Sequence, residues 1–158
     1  MTIKRILENK GILFQKEVKP LASYSPFVIF DKMIYISGQL PIVEDQILYK
    51  GKIGVDLDES SAIKAVQIST ANLLVVLENS LKKRNLPITK IFVVNIKGYL
   101  NTDKNYFNHS KLFNAASELL MNVLGENGNH SRSVIGVNNL PFNSSVEIDG
   151  IFGIKIND

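Results

Sequence analysis

The spacing of apolar residues along this chain changes repeatedly, and each change marks an element. At the start, Ile3, Ile6 and Leu7 stand among Lys4, Arg5, Glu8 and Lys10, which predicts a short amphipathic helix stopped at Gly11. Residues 27–30 and 33–37 are dense in β-branched and aromatic side chains, with Asp31 and Lys32 between them, the pattern of a tight hairpin. Pro41 ends that hairpin, and residues 46–50 read as another short strand before Gly51 and Gly54. Asp58 then offers a cap to a helix of about residues 59–83, which ends before Pro87. Val66, Leu73, Val76, Leu77 and Leu81, with small Ala62, Ala65 and Ser69, give that helix an apolar stripe.

Residues 90–100 form the next predicted strand, with Phe92, Val93, Val94 and Ile96 apolar. Thr102 or Asp103 should cap a second long helix running through Phe107, Leu112, Phe113, Ala116, Leu119, Leu120 and Val123 to Gly125. Residues 125–130 are polar and glycine-bearing, hence a loop, and residues 133–137 and 145–156 are the last two strands. In the final strand Val146, Ile148, Gly150, Phe152, Ile154 and Ile156 fall on one face by alternation, which leaves Glu147, Asp149 and Ile151 on the other. The order of elements predicts an α+β fold: a mixed sheet whose two long helices, each with a single apolar stripe, lie together on one face. A second face that mixes carboxylates with apolar side chains is expected to be covered by self-association.

Composition narrows this picture. The 158 residues, 45% hydrophobic and 21% charged, suit one domain over residues 1–158, with residues 1–18 as a helical extension. No uninterrupted apolar run approaches the ~20 residues of a membrane helix, and the N-terminus lacks the apolar centre of a signal peptide. A soluble, cytoplasmic protein is expected. The net charge of +3 is spread out; its densest group, Lys82-Lys83-Arg84, complements the dipole at a helix end, so nucleic acid is not an expected partner. With no cysteine, disulfides, thiolate metal ligands and a thiol nucleophile are all excluded.

The candidate chemistry lies near the C-terminus. Arg132 and Glu147 stand on two short strands that read as a hairpin. An arginine can hold a small carboxylate by a two-pronged, charge-assisted hydrogen bond, and a glutamate can take a proton from water or steer it. A cross-strand ion pair between the two is the competing reading. Two registers are open: a turn at Asn139-Leu140 sets Arg132 opposite Glu147, and a turn at Pro141-Phe142 separates them by roughly 13 Å. Tyr24 could pack on the first hairpin, Asn114 could be a buried and satisfied amide, and Gly38 could only relieve a turn. His109 and His130 are the only histidines, too few for a zinc site, so no metal is expected.

With these residues placed, the chain resembles the reactive intermediate deaminases (Rid), also called the YjgF or L-PSP family, from about Lys19 to Ile156. The resemblance rests on Tyr24, on Ser37-Gly38-Gln39-Leu40-Pro41, on Asn114, on Arg132-Ser133, on Leu140-Pro141 and on Val146-Glu147-Ile148. It implies a chorismate-mutase-like fold assembled as a homotrimer with ligand sites between subunits. The implied activity is cofactor-independent hydrolysis of enamines and imines of the 2-aminoacrylate type to 2-oxo acids and ammonia. It assigns Arg132 to the substrate carboxylate, Glu147 to the attacking water, and Tyr24, Ser37, Gly38 and Asn114 to the binding site. Two positions depart from the pattern: Val134 stands where many members have cysteine, and would serve there through its backbone, and His130 stands where proline is common. The long N-terminus and the loop at His130 mark a branch apart from the best-known members. Other readings are a non-catalytic binder of small carboxylates, an endoribonuclease or translation inhibitor, and, more distantly, a chorismate mutase.

Overall fold

Thr2 accepts a hydrogen bond from the Arg5 amide and opens α1 (Ile3–Asn9), after which Gly11 turns the chain with a φ of 65°. The computed structural model describes residues 2–18 and 23–155, so Ile156 and Lys19 lie outside the described residues. β1 (Phe27–Phe30) and β2 (Met33–Gln39) form the expected hairpin around Asp31. β3 (Ile42–Val43) and β4 (Gln46–Ile47) pair as a small separate ribbon, shorter than the strand expected over 46–50. α2 (Glu59–Arg84) starts on the Asp58 carboxylate, which accepts from the Ser61 amide at 2.7 Å, and ends at left-handed Asn85. β5 (Ile91–Asn101), α3 (His109–Leu124), β6 (Ser131–Val137) and β7 (Val146–Ile154) follow.

The main sheet has the order β1-β2-β7-β5-β6, antiparallel except for the parallel pair β5 and β6. This overturns the expected hairpin of the last two strands. β5, α3 and β6 form a parallel crossover unit that puts β6 at the sheet edge, and β7 returns on the far side of β5. Neither proposed register therefore applies: Arg132 pairs with Ile96 on β5, and Glu147 pairs with Tyr99 on its other side.

Both long helices do lie on one face, α2 over β2 and β7 and α3 over β5 and β6. The single apolar stripe expected on α2 is corrected: Leu73, Leu74, Val75, Val76 and Leu77 are all buried in succession. The cause is a third layer, since α1 packs on α2 and the Gln15 amide donates to Asn72 Oδ1 at 2.7 Å. α2 is long and apolar enough to cross a membrane by composition, but most of it is buried within this fold, as the core helix. α3 keeps its single stripe but starts later than expected. Asp103 accepts from the Asn105 amide at 2.9 Å in a local turn, and Phe107 lies outside the helix, 83% exposed.

Candidate active site

The alternation read in the last strand holds: Val146, Ile148 and Phe152 are fully buried under the helices, while Glu147, Asp149 and Ile151 are half-buried on the open face. A β-bulge in β2 between Ile36 and Gln39 sets Ser37 and Gly38 beside this row. The Glu147 side chain crosses directly over Gly38, and a Cβ added there would collide with its Cγ, Cδ and Oε1. Gly38 is needed for that close approach rather than for a turn. Ser37 closes the bulge onto the preceding loop, its hydroxyl donating to the Ser25 carbonyl at 2.8 Å.

Around these residues lies a cavity of about 670 Å³. Tyr24, Ser37, Gly38, Glu147 and Asp149 line it, and Val28, Ile36, Leu40, Phe142 and Ile151 make its walls mainly apolar. Burial, followed by repulsion from Asp149, pushes the Glu147 carboxyl above its ordinary range. Asp149 is itself tied on the β5 side: Tyr99 donates its hydroxyl to Oδ2 at 2.9 Å, and the Lys97 ammonium lies 3.5 Å from Oδ1. Desolvation, with the bond to Asp149, pushes the Tyr99 phenol up to about 12. Lys97 and Tyr99 were not among the residues singled out from sequence, although polar Asn95, Lys97 and Tyr99 alternate along β5 and were a readable signal.

Arg132 is elsewhere. It leaves β6 on the helix side, where its guanidinium lies 5.7 Å from the Phe113 ring centre. It donates to Ser117 Oγ and Asn114 Oδ1, both at 2.9 Å, and to the carbonyl and hydroxyl of Ser110 at 3.1 Å. Asn114 is thus an exposed acceptor on α3 rather than a buried amide. Val134 points to the same side and packs against the core. Within one chain Arg132, Asn114 and Val134 stand on one side of the sheet, and Tyr24, Ser37, Gly38 and Glu147 stand on the other. The ion pair between Arg132 and Glu147 is therefore ruled out within the chain. Ser110 and Ser117 were missed in the sequence, yet with Asn114 they occupy one helical face at i, i+4 and i+7. Among the described residues no group of three or more His, Asp or Glu side chains is arranged to hold a metal ion.

A mixed sheet covered on one face by two long helices, with carboxylates in a cavity on the other, defines a chorismate-mutase-like α+β protein. Residues 5–152 match the family described as "YjgF/chorismate_mutase-like, putative endoribonuclease", and the chain belongs to that family. A solved structure of the Agrobacterium tumefaciens protein Atu1372, of unknown function, is 34% identical with a TM-score of 0.86, covering 97% of this chain and 92% of its own. A Shewanella oneidensis protein that carries the same endoribonuclease name is 26% identical with a TM-score of 0.88, over 98% of this chain and all (100%) of its own. Protein TCP17 of Trypanosoma cruzi is 25% identical over 146 residues, 92% of this chain and 89% of that protein.

Proposed function

We propose that this protein hydrolyses reactive imines and enamines of 2-oxo acids, releasing the 2-oxo acid and ammonia. The observation that carries the reading is Glu147, pressed over Gly38 in a mainly apolar cavity with its carboxyl pushed up. A carboxyl so placed holds its proton closer to neutrality than an exposed one, which suits it to protonate an enamine carbon or an imine nitrogen. The resulting iminium is a cation, and Asp149 two residues along the strand stabilises it electrostatically. Glu147, now ionised, takes a proton from water as the oxygen adds to the C=N carbon. Glu147 hands that proton to the amine nitrogen, the C–N bond breaks to release ammonia, and the hydroxyl returns its proton to Glu147 as the carbonyl forms.

The substrate carboxylate is assigned to Arg132, as the family resemblance implies. Since Arg132 and Glu147 leave opposite sides of their own sheet, the reading needs an assembly in which Arg132 of one copy serves the cavity of another. A homotrimer with sites between subunits supplies that arrangement. The endoribonuclease name of the family is less well supported here. The cavity carries two carboxylates, which repel phosphate, and His109 and His130 are bonded on the α3 side to Thr102 and Ser117.

The test is a coupled assay in which a pyridoxal-phosphate enzyme generates 2-aminoacrylate and related imines, and a dehydrogenase reports what remains. Glu147→Gln should lower hydrolysis by about 10²-fold while 2-oxo acid affinity changes by less than about tenfold. Arg132→Ala should weaken 2-oxo acid binding by about 10–150-fold, the loss of a charge-assisted contact. A parent protein that adds nothing to the spontaneous rate with any imine, yet binds 2-oxo acids, would make it a carboxylate-binding protein instead.

A further inference from the structure

The acceptors around Arg132 are all neutral: two serine hydroxyls, one amide oxygen and one backbone carbonyl. A guanidinium held this way is fixed in orientation but keeps its full charge for an outside anion. One of the acceptors is held in turn. Ser117 Oγ lies 2.9 Å from His130 Nε2, and His130 Nδ1 lies 2.6 Å from the Gly128 carbonyl oxygen. Gly128 is buried hard against α3, where a Cβ would lie 2.6 Å from the Leu120 carbonyl oxygen and 2.7 Å from Met121 Cα. The carbonyl under the ring is thus anchored to the same helix that carries Ser117.

The chemistry of the groups orients this chain. Arginine only donates and a carbonyl only accepts. Ser117 Oγ therefore accepts a hydrogen bond from Arg132 Nη1 and is free to donate its own hydrogen to His130 Nε2, while Nδ1 must carry the hydrogen that reaches the Gly128 carbonyl. For the neutral ring, donors and acceptors match in one direction only, with the hydrogen on Nδ1.

We infer that Ser117 and His130 are positioning residues for the Arg132 guanidinium, linked as Gly128 carbonyl, His130 ring, Ser117 hydroxyl and Arg132. This deepens the proposed function and rests on Arg132 as the carboxylate anchor. His130 touches no substrate in this scheme; it fixes the direction in which Ser117 offers its lone pair.

Three measurements on the full-length protein test it. Ser117→Ala and His130→Phe should each raise KM for the imine, and the dissociation constant for pyruvate, about threefold to tenfold with kcat held within about twofold. Ser117→Thr keeps the hydroxyl, and His130→Gln keeps one donor and one acceptor at similar separation, so both should stay within about twofold of the parent. With only two histidines in the chain, the nitrogen-15 spectrum at pH 8 resolves His130 directly. It should show a neutral ring protonated on Nδ1, and a proton on Nε2, alone or with Nδ1, overturns the inference whether or not any variant folds. If Arg132→Ala loses pyruvate while Ser117→Ala and His130→Phe do not, the positioning role is wrong and the anchor stands. If Arg132→Ala itself binds pyruvate normally, the anchor fails first.

Discussion

At the scale of single residues, Glu147 and Gly38 form one device. Burial and Asp149 raise the Glu147 carboxyl in the folded protein, so the folded state binds its proton more tightly than the unfolded chain does. That contribution is fully present below the ordinary glutamate value of 4.5 and is lost as pH rises through the raised value of the folded state. Glu147→Gln should therefore match the parent in urea stability near pH 4 and exceed it increasingly towards pH 8; an advantage that shrinks with pH would contradict the buried carboxyl. Gly38→Ala inserts a methyl group where the Glu147 carboxylate lies, and the flexible glutamate must swing away. Hydrolysis should fall by about tenfold or more while the thermal midpoint moves by only a few degrees. The alternation of β7 made the face of Glu147 legible in the sequence, because period two is a local property. The cover over Gly38 was not legible, because the β2 bulge that creates it appears only when two distant strands are in register.

At the scale of elements, what the sequence disclosed was again local. Asp58 and Asn85 bracket α2 almost where the pattern placed its ends. The start of α3 was read too early because Phe107 continues the apolar spacing backwards, while the Asp103 turn interrupts the helix there. The false hairpin of β6 and β7 has the same origin. The two strands are close in sequence and joined by a short polar link, yet a parallel crossover had already placed β5 beside β6. Pattern gives each strand its faces but not its neighbours. The extra burial of α2 centres on Asn72, whose amide donates to the Leu40 and Ile42 carbonyls at 2.9 Å and accepts from Gln15. This buried amide fastens the N-terminal segment and the β3 strand to the core helix. Asn72→Ala would take a hydrogen-bond partner from each of those three backbone groups and should cost about 2–4 kcal/mol, read as a lower urea midpoint with unchanged slope.

At the scale of the whole molecule, the open face of the sheet sets the expectation. Phe30 is 73% exposed and Ile135 52%, and Val28 and Tyr35 stand beside the cavity mouth with polar Glu147 and Asp149 below. A face of this kind, with the cavity centred on β2 and β7 and Arg132 on the edge strand β6, suits a closed ring in which each copy completes the next. Sedimentation equilibrium should give about three times the 17.6 kDa subunit mass. A monomer at micromolar concentration would remove both the assembly and the shared site.

The position of β7 has a consequence for biosynthesis. Among the described residues it is the last strand to leave the ribosome, yet it occupies the middle of the sheet and packs against α2. Before it emerges, β2 and β5 have no common partner, and a 26-residue helix, apolar on most of its sides, has α1, β2 and α3 to pack on but no central strand beneath it. The sheet cannot be completed from the N-terminus onwards; it waits, with the apolar helix only partly covered, until residue 154 is free. Translation that stalls in β7 would thus release a chain for chaperones or proteases rather than a shortened folded protein.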